Sequence, residues 1–371
     1  MPLKPHLVKE SFSLIEPVAD KATAYFYGRL FAENPHLRGM FPPAMDVQRD
    51  RLFGALTRIV RSLDSPESLA PYLAQLGRDH RKYGVLAEHY TALGNALIAT
   101  VRRFAAEMWN PEVEAAWVAA YTIAANQMIA AADAEPGDEP AWWPAEVIGH
   151  ERRTCDIAVL TLRPGRRFDY RPGQYVNVQS ARWPRVWRTY SIANAPRPDN
   201  TIRLHVRALP GGWVSTALVA HTRVGDTVTL GPPMGTMVPP EGDRDILAVA
   251  GGTGLAPLKA IVEHVVASGR APGILLVHGA RTDAELYDLA DLTEMSRRCP
   301  RLRVLPAVSA QPGYPGVRGC LPDVVPGLGC WREHEVFVCG PPGMVALTVR
   351  RLRQAGVPEA RIHRDITADR P

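Results

Sequence analysis

Through the first third of the chain, apolar residues recur with a period near 3.6. That spacing predicts helices over about 11–33, 46–63, 67–83, 87–108 and 112–133. In "SLAPYLAQLGRDHRKYG", Leu69, Leu73, Leu76 and His80 step by four, three and four residues and so share one helix face, with Gly84 as the stop. From residue 141 the pattern becomes short β-rich runs between turns: "CDIAVLTL", "QYVNVQS", "TIRLHVRAL" and "DTVTLGPP". These predict a small antiparallel barrel ending near residue 240. Beyond it the apolar runs "DILAVAGG", "GILLVHGA", "LRVLPAVS" and "EVFVCGPP" alternate with helical segments, the signature of a parallel α/β sheet. The expected organisation is therefore multidomain: all-α over 1–135, an antiparallel β-barrel over 141–240 and a parallel-sheet α/β domain over 241–371. The acidic "ADAEPGDEP" (132–140) reads as the linker.

Composition sharpens the first boundary. Residues 1–140 hold 7 Gly and 11 Pro, and the remainder holds 23 of each. The charge divides at the same place. The first 140 residues carry 14 Lys and Arg against 17 Asp and Glu, and the rest carry 29 against 21. That split suits an anionic ligand in the later part. No basic run with interleaved aromatics points to nucleic acid. Five cysteines without regular spacing form neither a disulfide framework nor a plant-type iron–sulfur module. No run is long and apolar enough to span a membrane and the N-terminus lacks a signal-like apolar core, so a cytoplasmic protein is expected, a monomer with no obligate protein partner.

Candidate chemistry concentrates in a few stretches. "YRPGQYVNV", containing Tyr175, precedes "RTYSIANAP", in which Arg188, Tyr190 and Ser191 offer a cation, an aromatic wall and a hydroxyl. A flavin dinucleotide needs those three groups for its pyrophosphate, its ring and its N5 edge. In "LPGGWVST", Gly212, Val214 and Ser215 offer backbone amides and a hydroxyl suited to phosphate. "AVAGGTGLAPLKAI" is a strand, a glycine turn and a helix; Gly251, Gly252, Thr253 and Gly254 let backbone approach a pyrophosphate. "VFVCGPPGMV" ends another strand with Cys339, Gly340 and Pro341. Each stretch taken singly also reads as ordinary packing or turn chemistry.

In combination and in this order, "RTYS", "GGTGLAP" and "CGPPGM" resemble the ferredoxin–NADP reductase family over about residues 141–365. The resemblance implies that Arg188, Tyr190 and Ser191 hold FAD and that Gly251–Gly254 bind the nicotinamide dinucleotide. It also implies that Cys339 lies near the nicotinamide. In "HGARTDAELYD", Arg281 would suit a 2′-phosphate and Asp283 would disfavour one, so NADH is expected over NADPH.

The helical part then has a reason to hold an electron acceptor. His80 on an apolar face is by itself more often a core histidine than a ligand. Tyr27 with Leu30 and Phe31, Phe41 before a proline break, Gln48 with Leu52, and Tyr90 with Leu93 and Leu97 read equally as core. As a set they resemble the bacterial globin domain of flavohaemoglobins over about residues 5–133, and globin followed by such a reductase is that family's architecture. The resemblance implies haem b with His80 as the proximal iron ligand and Phe41 as the wedge against the porphyrin. Tyr27, Gln48 and Leu52 would line the distal side, with Tyr90 beside the proximal histidine. It implies nitric oxide dioxygenation, from nitric oxide and dioxygen to nitrate, with electrons passing from NADH (or NADPH) to FAD to haem.

Several positions depart from the family. Ala132 stands where a glutamate is expected behind the histidine; Asp133 or Glu135 could substitute only with a remodelled helix end. Asp79 replaces a lysine beside His80. The tail supplies Asp365 near the matching place, giving two acids unless Arg364 or Lys82 intervenes, and Thr367 replaces an aromatic beside the flavin. These changes bear on haem reduction. They keep two rivals open: a reductase serving another acceptor (a quinone, ferric chelate or cytochrome) or acting on a hydroxy acid, and an oxygen or nitric oxide sensor.

Overall fold

The structure is a computed structural model and describes residues 3–134, 140–269 and 272–365. The chain divides into two compact units that meet between Ala141 and Trp142.

The first unit is helical: α1 (Pro5–Ser13), α2 (Ala19–Glu33), α3 (Asp46–Arg61), α4 (Pro66–His80), α5 (Ala87–Phe104) and α6 (Pro111–Asp133). One helix expected over 11–33 is in fact two, with the break at a 3₁₀ turn over Glu16–Val18. Pro17 lacks an N–H and its ring clashes with the preceding turn, so the helix cannot run through. Pro5 instead opens α1, where a missing N–H is harmless. Asn110 caps α6 by accepting from the Glu112 and Val113 amides.

Helix α4 crosses α6 at Gly77, where a Cβ would lie 2.1 Å from the Met128 carbonyl oxygen. Only hydrogen fits there. Gly77→Ala should force the helix carrying His80 away from α6 and destabilise this unit by about 1–3 kcal/mol, the usual penalty of overpacking. The denaturant midpoint of the helical unit reads this out, and an unshifted midpoint would refute the close crossing.

The second unit begins with β1 (Trp143–Arg152), β2 (Ile157–Pro164), β3 (Tyr175–Ser180), β4 (Trp187–Ser191), β5 (Ile202–Arg207) and β6 (Thr227–Leu230). They form an antiparallel sheet in the order β4-β3-β6-β1-β2-β5, nearly closed into a barrel by an Ile192–Leu204 bridge. Strand β1 was not among the predicted runs. Pro144 and a register shift between Val147 and Gly149 hide it, yet it pairs with both β2 and β6. The turn α7 (Trp213–Thr216) packs under the barrel, burying Val214.

The chain continues into β7 (Ile246–Gly251), α8 (Leu255–Ala267), β8 (Ile274–Ala280), α9 (Leu289–Arg298), β9 (Leu302–Val308) and β10 (Val317–Arg318). After these come α10 (Leu321–Val324), β11 (Glu335–Cys339), α11 (Pro342–Gln354) and β12 (Ile362–Arg364). The strands are all parallel, ordered β10-β9-β8-β7-β11-β12, with apolar clusters on both faces. No described helix is long and apolar enough to cross a membrane.

Candidate active site

His80 is the last residue of α4, on the face it shares with Leu69, Leu73 and Leu76. Its Nδ1 lies 2.6 Å from the Leu76 carbonyl oxygen. A carbonyl only accepts, so Nδ1 carries the proton and Nε2 keeps its lone pair. Burial holds the imidazole pKa below its ordinary value, which keeps that lone pair available at neutral pH. An axial imidazole needs this tautomer, with the far nitrogen fixed by a backbone acceptor. The side chain therefore fits a haem iron.

Tyr27 on α2 is buried, and burial raises its phenol to about 12 against the opposing pull of Gln48 and Arg49. Its hydroxyl stands 3.5 Å from the Gln48 carbonyl oxygen, at the outer limit of a hydrogen bond. The Tyr27, Phe31 and Phe41 rings meet pairwise with centroids 5.2–5.7 Å apart. Leu52 on α3 packs against the hydrophobic core of this unit, to which Tyr27 belongs. Tyr27 thus meets Phe41 and the Gln48 carbonyl, Leu52 lies in the same helical core, and Tyr90 sits half-buried on α5.

In the second unit the two glycine motifs touch. A Cβ on Gly254 would lie 2.5 Å from the Cys339 carbonyl and the Gly340 nitrogen, and one on Gly251 would meet Met344 and Pro341. The turn after β7 and the end of β11 thus press backbone on backbone at the carboxyl edge of the sheet, where doubly wound sheets bind ligands. Thr253 lies in the same turn. The Cys339 thiol is buried, facing the Met237 sulfur at 3.6 Å.

On the barrel, the ladder pairs Val178 with Arg188, Val176 with Tyr190 and Tyr175 with Ser191. Arg188 and Tyr190 therefore share one face, and Ser191, adjacent in sequence, falls on the other with Tyr175. The three candidate flavin contacts on β4 are thus divided between its two faces. Burial raises the Tyr190 phenol well above its ordinary value. The Ser215 hydroxyl closes its own turn, accepting from the Leu209 amide and donating to the Gly212 carbonyl. Val214 is a core side chain, so only its backbone is left to meet a ligand. Beside this turn Trp213 stacks on Trp183, ring centroids 4.9 Å apart, a pair the sequence reading did not single out.

Three charged residues also escaped the sequence reading. Arg207 ends β5 with its guanidinium 3.8 Å from where a Cβ on Gly252 would lie, and bonds Asp156 at 2.6 Å. Glu285 grips Arg281. Lys259, on α8, is buried with Asp288 at 2.6 Å and Asp291 at 3.4 Å, tying down the segment after β8. Arg207 and Glu285 are remote from the glycine motif in sequence, so no local pattern marks them.

The comparisons follow this division. A globin model matches residues 24–128, an oxidoreductase FAD-binding domain 144–238 and an oxidoreductase NAD-binding domain 248–350. The chain is 27% identical to a flavohemoprotein of Chromobacterium violaceum, covering 98% of this chain and 97% of that one. The crystal structure of a flavohemoglobin from Malassezia yamatoensis, with bound FAD and heme, superposes with a TM-score of 0.78 at 19% identity, covering 97% of this chain and 98% of that one. The chain belongs to the flavohaemoglobin family. Over 59% of its length it is also 33% identical to the ferredoxin–NAD(P)(+) reductase component of a naphthalene 1,2-dioxygenase system from Pseudomonas putida, covering 67% of that chain.

As a flavohaemoglobin it is a haem- and FAD-dependent NAD(P)H oxidoreductase. Its departures from the family now have geometry. In this flavohaemoglobin α6 runs unbroken through Ala132 to Asp133. Burial first and the Asp133 charge second raise the Tyr90 phenol to about 12. Asp79 does not stand as an unpaired acid. The Lys82 ammonium bonds its carboxylate, and the two side chains are 1% and 5% exposed. Arg364 lies near Glu359 at 3.7 Å. Glu135 and Thr367 lie outside the described residues.

Proposed function

We propose that this flavohaemoglobin is a nitric oxide dioxygenase that converts nitric oxide and dioxygen to nitrate at the expense of NADH. The observation that carries this reading is the imidazole of His80, proton-fixed by Leu76, in the same chain as a complete flavin and nicotinamide unit. Bound haem and FAD would supply gas binding and the splitting of a hydride into single electrons. The chain's own residues do the rest. His80 Nε2 would hold the haem iron. Tyr27 stays protonated across the physiological range, so its hydroxyl hydrogen would be available to bound dioxygen. Phe41, Gln48 and Leu52 wall the Tyr27 side against water, and the 3.5 Å contact to the Gln48 carbonyl is long enough for the Tyr27 hydrogen to turn to a ligand instead. Tyr90, under the charge of Asp133, borders the proximal side. Arg188, Tyr190 and Ser191 hold FAD with Tyr175 and the backbone of Gly212, Val214 and Ser215, and Gly251–Gly254 with Cys339–Pro341 receive the dinucleotide. The boundaries proposed for the three domains are those expected above.

A second reading, transfer of electrons to an external acceptor, is favoured by one observation. The second unit is more like a stand-alone reductase component than the whole chain is like other flavohemoproteins. Aerobic turnover with NADH and nitric oxide separates the two. Dioxygenation consumes two molecules of nitric oxide and two of dioxygen per NADH and yields two of nitrate. NADH oxidation without nitrate would select the second reading.

A further inference from the structure

The rim where β8 ends carries more charge than its sequence suggests. Arg281, the first residue after β8, is 71% exposed along its side chain and on its own would attract a phosphate. It is not on its own. Its Nη2 donates to Glu285 Oε1 at 2.6 Å and its backbone N–H donates to Oε2 at 2.9 Å, so Glu285 closes the turn and occupies the guanidinium together. Arg207, reaching from the barrel, brings its Nη2 to 4.0 Å from the same Oε1 and lies over Gly252. The glycine turn, Arg207, Glu285 and Arg281 are thus consecutive neighbours along the sheet edge. Gly251 and Gly279 pair directly across β7 and β8, which brings both ends of the rim together.

We propose that Glu285 is the residue that makes this oxidoreductase selective for NADH over NADPH. A dinucleotide whose pyrophosphate lies on the glycine turn carries its adenosine ribose toward the end of the neighbouring strand. A carboxylate there accepts hydrogen bonds from ribose hydroxyls. A 2′-phosphate brings close to two negative charges to the same place and meets a carboxylate of like sign, while the cations beside it, Arg281 and Arg207, are already paired with Glu285 and Asp156. Asp283, the acid nearest to Arg281 in sequence, does not take this part: its carboxylate accepts from the Ala284 backbone N–H at 2.7 Å, and Arg281 pairs with Glu285. The inference rests on the NAD(P)H oxidoreductase reading and not on the terminal acceptor.

The test therefore excludes oxygen and nitric oxide. Holoprotein is mixed anaerobically with NADH or NADPH and the rate of flavin bleaching is followed. Affinities for 5′-AMP and 2′,5′-ADP are measured by calorimetry alongside. The intact protein should prefer NADH and bind 5′-AMP more tightly. Glu285→Gln should raise the NADPH-to-NADH ratio roughly 10-fold or more, as expected when a charge-assisted bond is redirected to phosphate. Adding Arg281→Ala to that variant should cancel the gain. An intact protein that uses NADPH as well as NADH overturns the proposal. So does a Glu285→Gln protein, folded by its bound-flavin spectrum, whose ratio and 2′,5′-ADP affinity are unchanged. Absence of nitrate in the separate aerobic assay with nitric oxide, beside an intact NADH preference here, would count against the dioxygenase reading alone.

Discussion

His80→Ala should abolish nitrate formation while the flavin is still reduced by NADH. The expected loss exceeds the roughly 10–100-fold that removal of a mere outer partner costs at a metal site, because the ligand itself is gone. The reason lies in one hydrogen bond. Leu76 O fixes the proton on Nδ1, so the lone pair that alanine removes is the one directed away from the helix backbone. The measurement is nitric oxide consumption in air with NADH, beside anaerobic flavin reduction on the same samples. The two sites lie in separate compact units, so a folding defect in the helical unit should leave the flavin signal in place. Equal nitric oxide consumption by variant and parent would remove His80 from the mechanism. Consumption lost together with flavin reduction would mean that the substitution acts on more than the iron.

The second large effect is on stability in acid. His278 in β8 is fully buried, and burial pulls its pKa down to about 4 from an ordinary 6.5. His205 in β5 is shifted in the same direction by burial and by Lys259, and its Nδ1 is 2.8 Å from the Tyr287 hydroxyl, whose ring sits edge-on to both imidazoles. Between the two pKa values of His278, the unfolded chain takes up a proton that the folded one refuses. Stability is therefore full above about pH 6.5 and is lost as the pH falls toward 4. The shift corresponds to about 3 kcal/mol from His278 alone. Chemical denaturation of the second unit across that window, compared with His278→Leu, isolates this part from the carboxylates that titrate in the same range. The parent should lose about 3 kcal/mol more than the variant. Parallel profiles would show that the buried imidazole takes up its proton without unfolding.

How far the sequence carries can be read from particular elements. The helices of the first unit were legible because a helix that buries one face must repeat near 3.6, and five such stretches do. The break at Pro17 was legible in principle from the ring that cannot continue a helix, yet the apolar spacing on either side masked it. Strand β1 went unseen because Pro144 and the Val147–Gly149 shift disrupt its alternation; it exists because β2 and β6 supply hydrogen bonds on both edges. The glycine turns were legible as local backbone chemistry. Their contact was not, since Gly254 and Gly340 are brought together only by the adjacency of β7 and β11.

The sequence by itself determined the class of the protein: helical unit, then barrel, then parallel sheet, with the haem, flavin and dinucleotide motifs in order. Periodicity and short motifs are local properties, and local properties survive in a one-dimensional record. Only the tertiary structure decided the proton position on His80 and the Asp79–Lys82 pair in a buried seam. It alone brought the Asp133 charge to bear on the Tyr90 phenol and paired Arg281 with Glu285. Each depends on burial or on distance between charges. Those quantities are set by what folds against a residue, and the spacing of its neighbours in the chain does not contain them.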